Sequence, residues 1–208
     1  MPENPPAARP GGRSARVRAD MVAATLAELT EQGYDRLTVD AICTRAGVHK
    51  ATAYRRWGGV DGLIADALAS SADQPWPVPD TGDVDEDLRQ LAHQVYAVFT
   101  DAELGATPIA LINAALRSDA GAAALHAFFA ARHGQAAVVA ARGVERGQLP
   151  PGTDPVEVVR AATAPLYHRL FLTGEPLDAR TADHAAAAAL LAARAGLFEA
   201  RPGTPVTG

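Results

Sequence analysis

Apolar positions recur every three to four residues along most of this chain, and that period predicts helices. Between Ala15 and Gln32 the stripe is Val22, Leu26 and Leu29, closed by Gly33 as a helix C-terminus should be. Ala41, Ile42 and Ala46 mark a short helix in which Asp40 joins the first turn and which Gly47 ends, and a second short run follows from His49 to Trp57. Gly58-Gly59 breaks the pattern again, after which Val60, Ile64, Ala67 and Leu68 open a fourth helix.

The next stretch, Ser71 to Asp83, carries Pro75, Pro77 and Pro79 at alternate positions, which forces an extended loop. Val84, Leu88, Leu91, Val95 and Val98 then step by 4, 3, 4 and 3, the signature of a helix with one face on a core. Residues 107–118 read as a shorter helix, and 120–147 as one long helix with a bend at Gly134. Asp154 before Pro155 is a favoured helix start, Pro165 predicts a kink, and Gly174 and Pro176 end that helix. The last helix runs from about Ala179 to Ala200 and is apolar over too wide an arc for a simple surface helix. The expected fold is all-α, with about nine helices. A head of three helices carries a helix-turn-helix, and a larger helical domain follows.

Composition agrees: 208 residues with 48% hydrophobic content can bury a substantial core, and abundant alanine favours close helix packing. One cysteine, Cys43, excludes an internal disulfide and a multi-cysteine metal site. The N-terminal MPENPPAARPGGRSAR lacks the apolar core of a secretion signal, and no run nears 18 apolar residues, so a cytoplasmic protein without a membrane span is expected.

The net charge of −5 taken alone argues against a nucleic-acid partner, but its distribution reverses that reading. Residues 1–60 hold nine Lys/Arg against six Asp/Glu, a net of +3, whereas the remainder holds ten against eighteen, a net of −8. A basic head on an acidic body suits docking of one end on phosphates. Within the head, Lys50, Thr52, Tyr54, Arg55 and Arg56 crowd the second short helix, with Ala51 and Ala53 between them. Two short helices joined by a Gly-containing turn, the second studded with donors, make a helix-turn-helix whose second helix enters a major groove. The bare motif is also compatible with a purely structural helix pair.

The order Gly33-Tyr34, Thr38-Val39, Ile42, Ala46-Gly47-Val48, Lys50-Ala51-Thr52, Tyr54 and Trp57 resembles the N-terminal domain of the TetR family of transcriptional repressors, over about residues 15 to 68. Pro165-Leu166-Tyr167, Arg169 and Thr173-Gly174-Glu175-Pro176 resemble one C-terminal subgroup of that family. The resemblance implies a flexible tail at 1–14, a DNA-binding domain at 15–59, a ligand-binding and dimerisation domain at 60–200 and a second tail at 201–208. It implies DNA contacts from Thr38, Thr44, His49, Lys50, Thr52, Tyr54 and Arg55. His49 stands where the family commonly has serine or threonine, and Val60 where it usually has a phosphate-binding lysine. Arg9, Arg13, Arg16 and Arg18 could reach DNA from the N-terminal segment, or contact nothing specific.

A small head reads too few base pairs to find one genomic address, so two copies on a two-fold operator are expected. Val159, Thr163, Leu166 and Leu170, with Leu191, Ala195 and Phe198, are the candidate dimer interface as a four-helix bundle; the alternative is that these faces are buried within one chain. Tyr96, Phe99, Asn113, Phe129, His133, Tyr167 and Arg169 combine apolar and polar groups suited to a small-molecule effector site, although aromatics at such spacing are also ordinary core. The histidines are scattered with no metal-ligand spacing, and no nucleophile motif or glycine-rich phosphate loop occurs, so no metal, no cofactor and no enzyme activity are expected. The resulting expectation is a DNA-binding repressor that is released by an effector. The alternative is a helical ligand- or protein-binding module that does not bind DNA.

Overall fold

The computed structural model describes residues 12–102 and 104–199, and Arg9 and the tail residues 1–11 and 201–208 lie outside them. Among the described residues there is no strand, and ten α-helices follow one another: α1 (Gly12–Gln32), α2 (Val39–Ala46), α3 (Lys50–Trp57), α4 (Val60–Ala72), α5 (Val84–Thr100), α6 (Ala106–Ala115), α7 (Asp119–Ala136), α8 (Val138–Glu145), α9 (Pro155–His168) and α10 (Ala179–Arg194). The chain divides into two compact units, one of residues up to Asp73 with Ala106–Phe128, the other of Gln74–Gly105 with Phe129 onward.

In the first unit α1 is the central strut, packing on α2, α4 and α6. Met21, Leu29, Ile42, Leu63, Ile64 and Leu68 are its fully buried large side chains. Thr25, also buried, gives its hydroxyl proton to the Met21 carbonyl of its own helix at 2.8 Å, so it leaves no unpaired donor in the core. The helix begins at Gly12, three residues inside the segment expected to be tail. The fourth helix, which opens the segment 60–200, packs on α1 and falls in this unit.

The second unit is built around α5, which meets α8, α9 and α10. Val84, Leu88, Leu91 and Val95 are buried as the stripe predicts, but Val98, one step further, is 45% exposed. Alanine dominates the inner face of α10, where Ala182, Ala186, Ala189 and Ala193 are buried and allow the backbones of α9 and α10 to approach closely. Asp83, Asp154 and Asp178 cap α5, α9 and α10, each accepting from a backbone N–H of the first turn.

Two helix boundaries differ from expectation, and the helix containing Pro165 gains a wider last turn. The run 120–147 is two helices, α7 and α8, divided at Ala137, three residues after Gly134, which stays within α7. The helix containing Pro165 runs through it as α9 and then widens into a π-helical turn, Arg169–Thr173, closed by Gly174 at φ 65°. The last helix ends at Arg194, and Gly196 at φ 75° turns the chain so that Leu197 and Phe198 leave the helical register.

Candidate nucleic-acid interface

All seven residues expected to touch DNA fall in the first unit, on α2, α3 and their caps. Thr38 is the N-cap of α2 and accepts the Ala41 N–H at 3.1 Å, which leaves its own hydroxyl proton available for a phosphate oxygen. Thr44 is exposed one turn further on, but its hydroxyl already donates to the Asp40 carbonyl at 2.9 Å. To reach a phosphate it must turn away from that carbonyl.

Gly47 takes the left-handed conformation, φ 65°, at the C-cap of α2, and its N–H closes the helix on Cys43 and Thr44 carbonyls. A residue with a Cβ is disfavoured there, so the tight turn needs this glycine. His49 is the N-cap of α3 with no side-chain capping bond, and its ring is exposed. A serine or threonine there would satisfy a helix N–H; the imidazole instead projects outward as an extra donor or acceptor.

Helix α3 is anchored by one face. Ala53 is 1% exposed and Thr52 and Trp57 are half-buried, whereas Lys50, Ala51, Tyr54 and Arg55 are exposed. Positions 50 and 54, and 51 and 55, are each one turn apart, so the outward strip presents an ammonium, a phenol and a guanidinium together. Tyr54 is 52% exposed although aromatic.

The cations of this region have different commitments. Arg45 is held by Glu28 at 2.7 Å and by Glu31 at 2.5 Å, which raises its own pKa and lowers that of Glu31, so it is a strut between α1 and α2. Arg56 donates to both oxygens of Ser14 at 3.1 Å and covers the Trp57 ring at 4.8 Å. Arg18, expected as a possible groove contact, is tied to Asp66 at 2.8 Å and faces Asp73 at 3.8 Å. Arg13 and Arg16 are exposed on the first turns of α1. Arg55 makes no ion pair among the described residues. Lys50 pairs with Asp40 at 2.5 Å, and this carboxylate pushes its pKa up, so the ammonium stays protonated.

Val60 is the first residue of α4 and half-buried, so the junction after α3 offers no side-chain cation. The backbone there is close-packed: a Cβ on Gly62 would lie 1.9 Å from the Trp57 carbonyl oxygen. Gly58-Gly59 stands out in the sequence, whereas the demand for glycine at position 62 is visible only in the folded junction.

In the second unit, Phe99, Phe129, His133 and Tyr167 are brought together as expected. Ring centroids lie 5.0 Å apart for Phe129–Tyr167, 5.7 Å for Phe99–Tyr167 and 5.9 Å for Phe129–His133. Phe171, not among the residues expected at this site, joins edge-on to Phe99 at 5.9 Å. Its signal was its place one turn after Tyr167. His133 Nε2 is buried without a hydrogen-bond partner, and burial, with Arg160 second, pulls its pKa below the ordinary value. Burial likewise pushes the Tyr167 phenol up, so it stays neutral. Tyr96 meets His93 edge-on at 6.1 Å, Arg169 faces Glu175 at 3.4 Å, and Asn113 is exposed in the first unit.

Of the expected dimer residues, Val159, Thr163 and Leu166 are at most 1% exposed and belong to the core or its hydrogen bonds, Thr163 donating to the Val159 carbonyl at 3.0 Å. Their side chains are covered within the one chain. Leu191 is 69% exposed, Ala195 is exposed, and Leu170 and Phe198 are half-buried. Neither a helix able to cross a membrane nor a cluster able to hold a metal occurs among the described residues.

A three-helix head with an exposed donor strip on the second helix of a helix-turn-helix defines a DNA-binding transcriptional regulator. Residues 21–67 match the model for bacterial regulatory proteins of the tetR family, and residues 78–189 match the tetracyclin repressor-like C-terminal domain. The chain belongs to the TetR family. It is 32% identical over 151 residues to the uncharacterized HTH-type transcriptional regulator YdeS of Bacillus subtilis (strain 168), covering 72% of this chain and 76% of that one. It is 32% identical over 142 residues to the HTH-type transcriptional regulator AqdR of Rhodococcus erythropolis, with 68% of each covered. Among solved structures, the TetR family transcription regulator SCO0332 superposes with a TM-score of 0.67 at 28% identity, over 84% of this chain and 97% of that one. The complex of SmeT with triclosan shares the fold, with a TM-score of 0.55 at 20% identity over 92% and 99%.

Proposed function

We propose that the protein is a repressor that binds a two-fold operator as a homodimer and releases it when a small aromatic effector binds the second unit. The observation that supports DNA reading by α3 is its division into a buried Ala53 side and an exposed strip of Lys50, Tyr54 and Arg55. Arg55 and Lys50 supply phosphate or base contacts, Tyr54 and Thr38 fix register on the backbone, and His49 adds a further polar contact. Thr44 and Thr52 complete the set from the edges of the same surface.

For the dimer, the expectation narrows to the exposed part of α9 and α10. Leu191 on α10 with Ala195 and Phe198 just past its end, and Leu170 with the exposed Ala164, His168 and Leu172 along α9 and its π-helical turn, are the positions that a second copy would cover. Two recognition helices would then meet successive major grooves about 34–36 Å apart.

For the effector, Phe99, Phe129, Tyr167 and Phe171 offer edge and face contacts, and His133 offers one unsatisfied nitrogen. SmeT binds triclosan in its solved complex and FrrA is a flavonoid-responsive regulator, and both share this fold. An effector relieves repression only by binding the non-operator shape more tightly, because equal affinity for both shapes shifts nothing. A cytoplasmic site of action follows from this role.

A gel-shift assay with DNA from upstream of the protein's own gene tests the reading. Binding should fall by orders of magnitude between about 50 and 200 mM salt if roughly six or more phosphates are contacted. A salt-independent complex, or none, overturns it. Triclosan and a flavonoid serve as effector probes, and Phe129→Ala should remove any release they cause.

A further inference from the structure

Asp40 is an acidic residue at the edge of a surface otherwise built to meet a polyanion. It lies in the first turn of α2, and its Oδ2 accepts from Lys50 Nζ, at the first position of α3, at 2.5 Å. Both side chains are more than half exposed, so the pair is open to the solvent side and not part of the core. A carboxylate in a first helical turn also favours the local helix dipole, but that role needs only the charge and not the bond to Lys50.

We infer that Asp40 is a specificity-determining positioning residue: it holds the Lys50 ammonium at the edge of the recognition helix and opposes its capture by DNA phosphates at random sequence. A lysine that must leave a carboxylate to take a phosphate exchanges one anionic partner for another, so its gain on non-specific DNA is small. The ammonium has three N–H donors, and one bond to Asp40 leaves two for acceptors on a base edge, such as O6 and N7 of a guanine. On a matching site the pair can therefore persist while Lys50 reads a base. On random DNA the same carboxylate stands near the backbone and adds repulsion.

The other cations nearby do not share this device. Arg45 is paired away from α3, on α1, Arg56 is folded onto Ser14 and Trp57, and Arg55 makes no ion pair among the described residues. Arg55 thus supplies general attraction and Lys50 conditional attraction from the same strip.

The test uses the full-length chain, an operator recovered by selection from random duplexes, and a scrambled duplex of equal length. Asp40→Asn, which keeps the shape and removes the charge, should tighten binding to the scrambled duplex by about two- to fivefold per subunit, the range of an exposed ion pair. Operator affinity should stay equal or fall, so the specificity ratio drops, and the salt slope on scrambled DNA should steepen by up to about one per subunit. In a Lys50→Ala background the same substitution should leave the ratio unchanged, which separates action through Lys50 from a general charge effect. Equal tightening on both duplexes, or a drop in ratio that persists without Lys50, overturns the inference. A thermal melt of each variant shows whether loss of the dipole contact destabilises α2, and a loss of ratio that merely tracks the melting temperature also overturns it. Operator binding by the unaltered protein is established separately in the same titration, so failure of DNA binding itself is not confused with failure of the role of Asp40.

Discussion

The indole nitrogen of Trp57 donates to Asp66 Oδ2 at 2.8 Å, while Arg18 Nε donates to Asp66 Oδ1 at the same distance. One carboxylate thereby joins the end of α3 to α4 and to α1, and fixes the inclination of α3 on its own unit. Asp66→Ala leaves a half-buried N–H and a guanidinium without their acceptor. Hydrogen bonds to charged groups contribute about 1.5–3 kcal/mol, so a stability loss of that order is expected. Thermal melting and operator titration should fall together, with Asp66→Asn milder; an unchanged melt refutes the structural role.

Tyr54→Phe removes one hydroxyl from an exposed position and nothing from the core. Loss of a single hydrogen bond worth roughly 0.5–1.5 kcal/mol weakens operator binding about three- to tenfold per subunit. The melting temperature should not move. Ala53→Leu is the converse, since it overfills the buried side of the same helix and should cost about 1–3 kcal/mol in a denaturant titration.

Gly62→Ala is predicted to be more damaging than a glycine-to-alanine change within a helix ordinarily is. A Cβ at this position meets the Trp57 carbonyl oxygen at 1.9 Å, and the obstacle is backbone, which cannot rotate aside. The α3–α4 junction must shift, with loss of operator binding and a lower melting temperature. Circular dichroism melting with a parallel gel-shift decides this, and native-like behaviour in both contradicts it.

Leu191→Arg places a charge on an exposed part of α10, so the chain should still fold. Light scattering should report a monomer, and operator affinity should drop steeply because one head then binds alone. Leu166→Ala distinguishes interface from core: it deletes a fully buried side chain, costs about 2–5 kcal/mol and leaves the proposed dimer face untouched.

His133 gives a pH dependence whose sign follows from burial. Its pKa in the folded chain lies below the ordinary 6.5, so the unfolded chain binds the proton more readily. The stability associated with a neutral His133 is fully present above about pH 6.5 and is lost as the pH falls from there through the lowered folded value. Urea titrations at pH 7.5 and 5.5 should show a larger loss in the unaltered protein than in His133→Gln; equal losses remove His133 as the cause.

Much of the helix-turn-helix was legible in the sequence because its controls are local. Gly47 ends α2, Thr38 caps it, and the spacing of Ile42, Val48, Ala53 and Trp57 follows from helical geometry within 20 residues. The dimer face was not legible in the same way. On α9, Val159, Thr163 and Leu166 carry the same kind of periodicity as a surface stripe, and only the packing of α10 and α5 shows that this side faces inward. Phe171 stands one turn after Tyr167, but that spacing marks ordinary helix as readily as a ring cluster, and only the folded chain shows that it meets Phe99.

The sequence by itself determined the all-α class, the positions of most helix ends and the place of the helix-turn-helix, because caps, glycine turns and the 3.6-residue period act between near neighbours. Tertiary structure alone decided which cations are committed to partners within the chain, since Arg18, Arg45 and Arg56 look alike in sequence and differ only in the carboxylates, hydroxyl and ring that the fold brings to them. It also decided that Lys50 lies beside Asp40, ten residues earlier and on another helix, where the turn at Gly47 brings the two within hydrogen-bond distance.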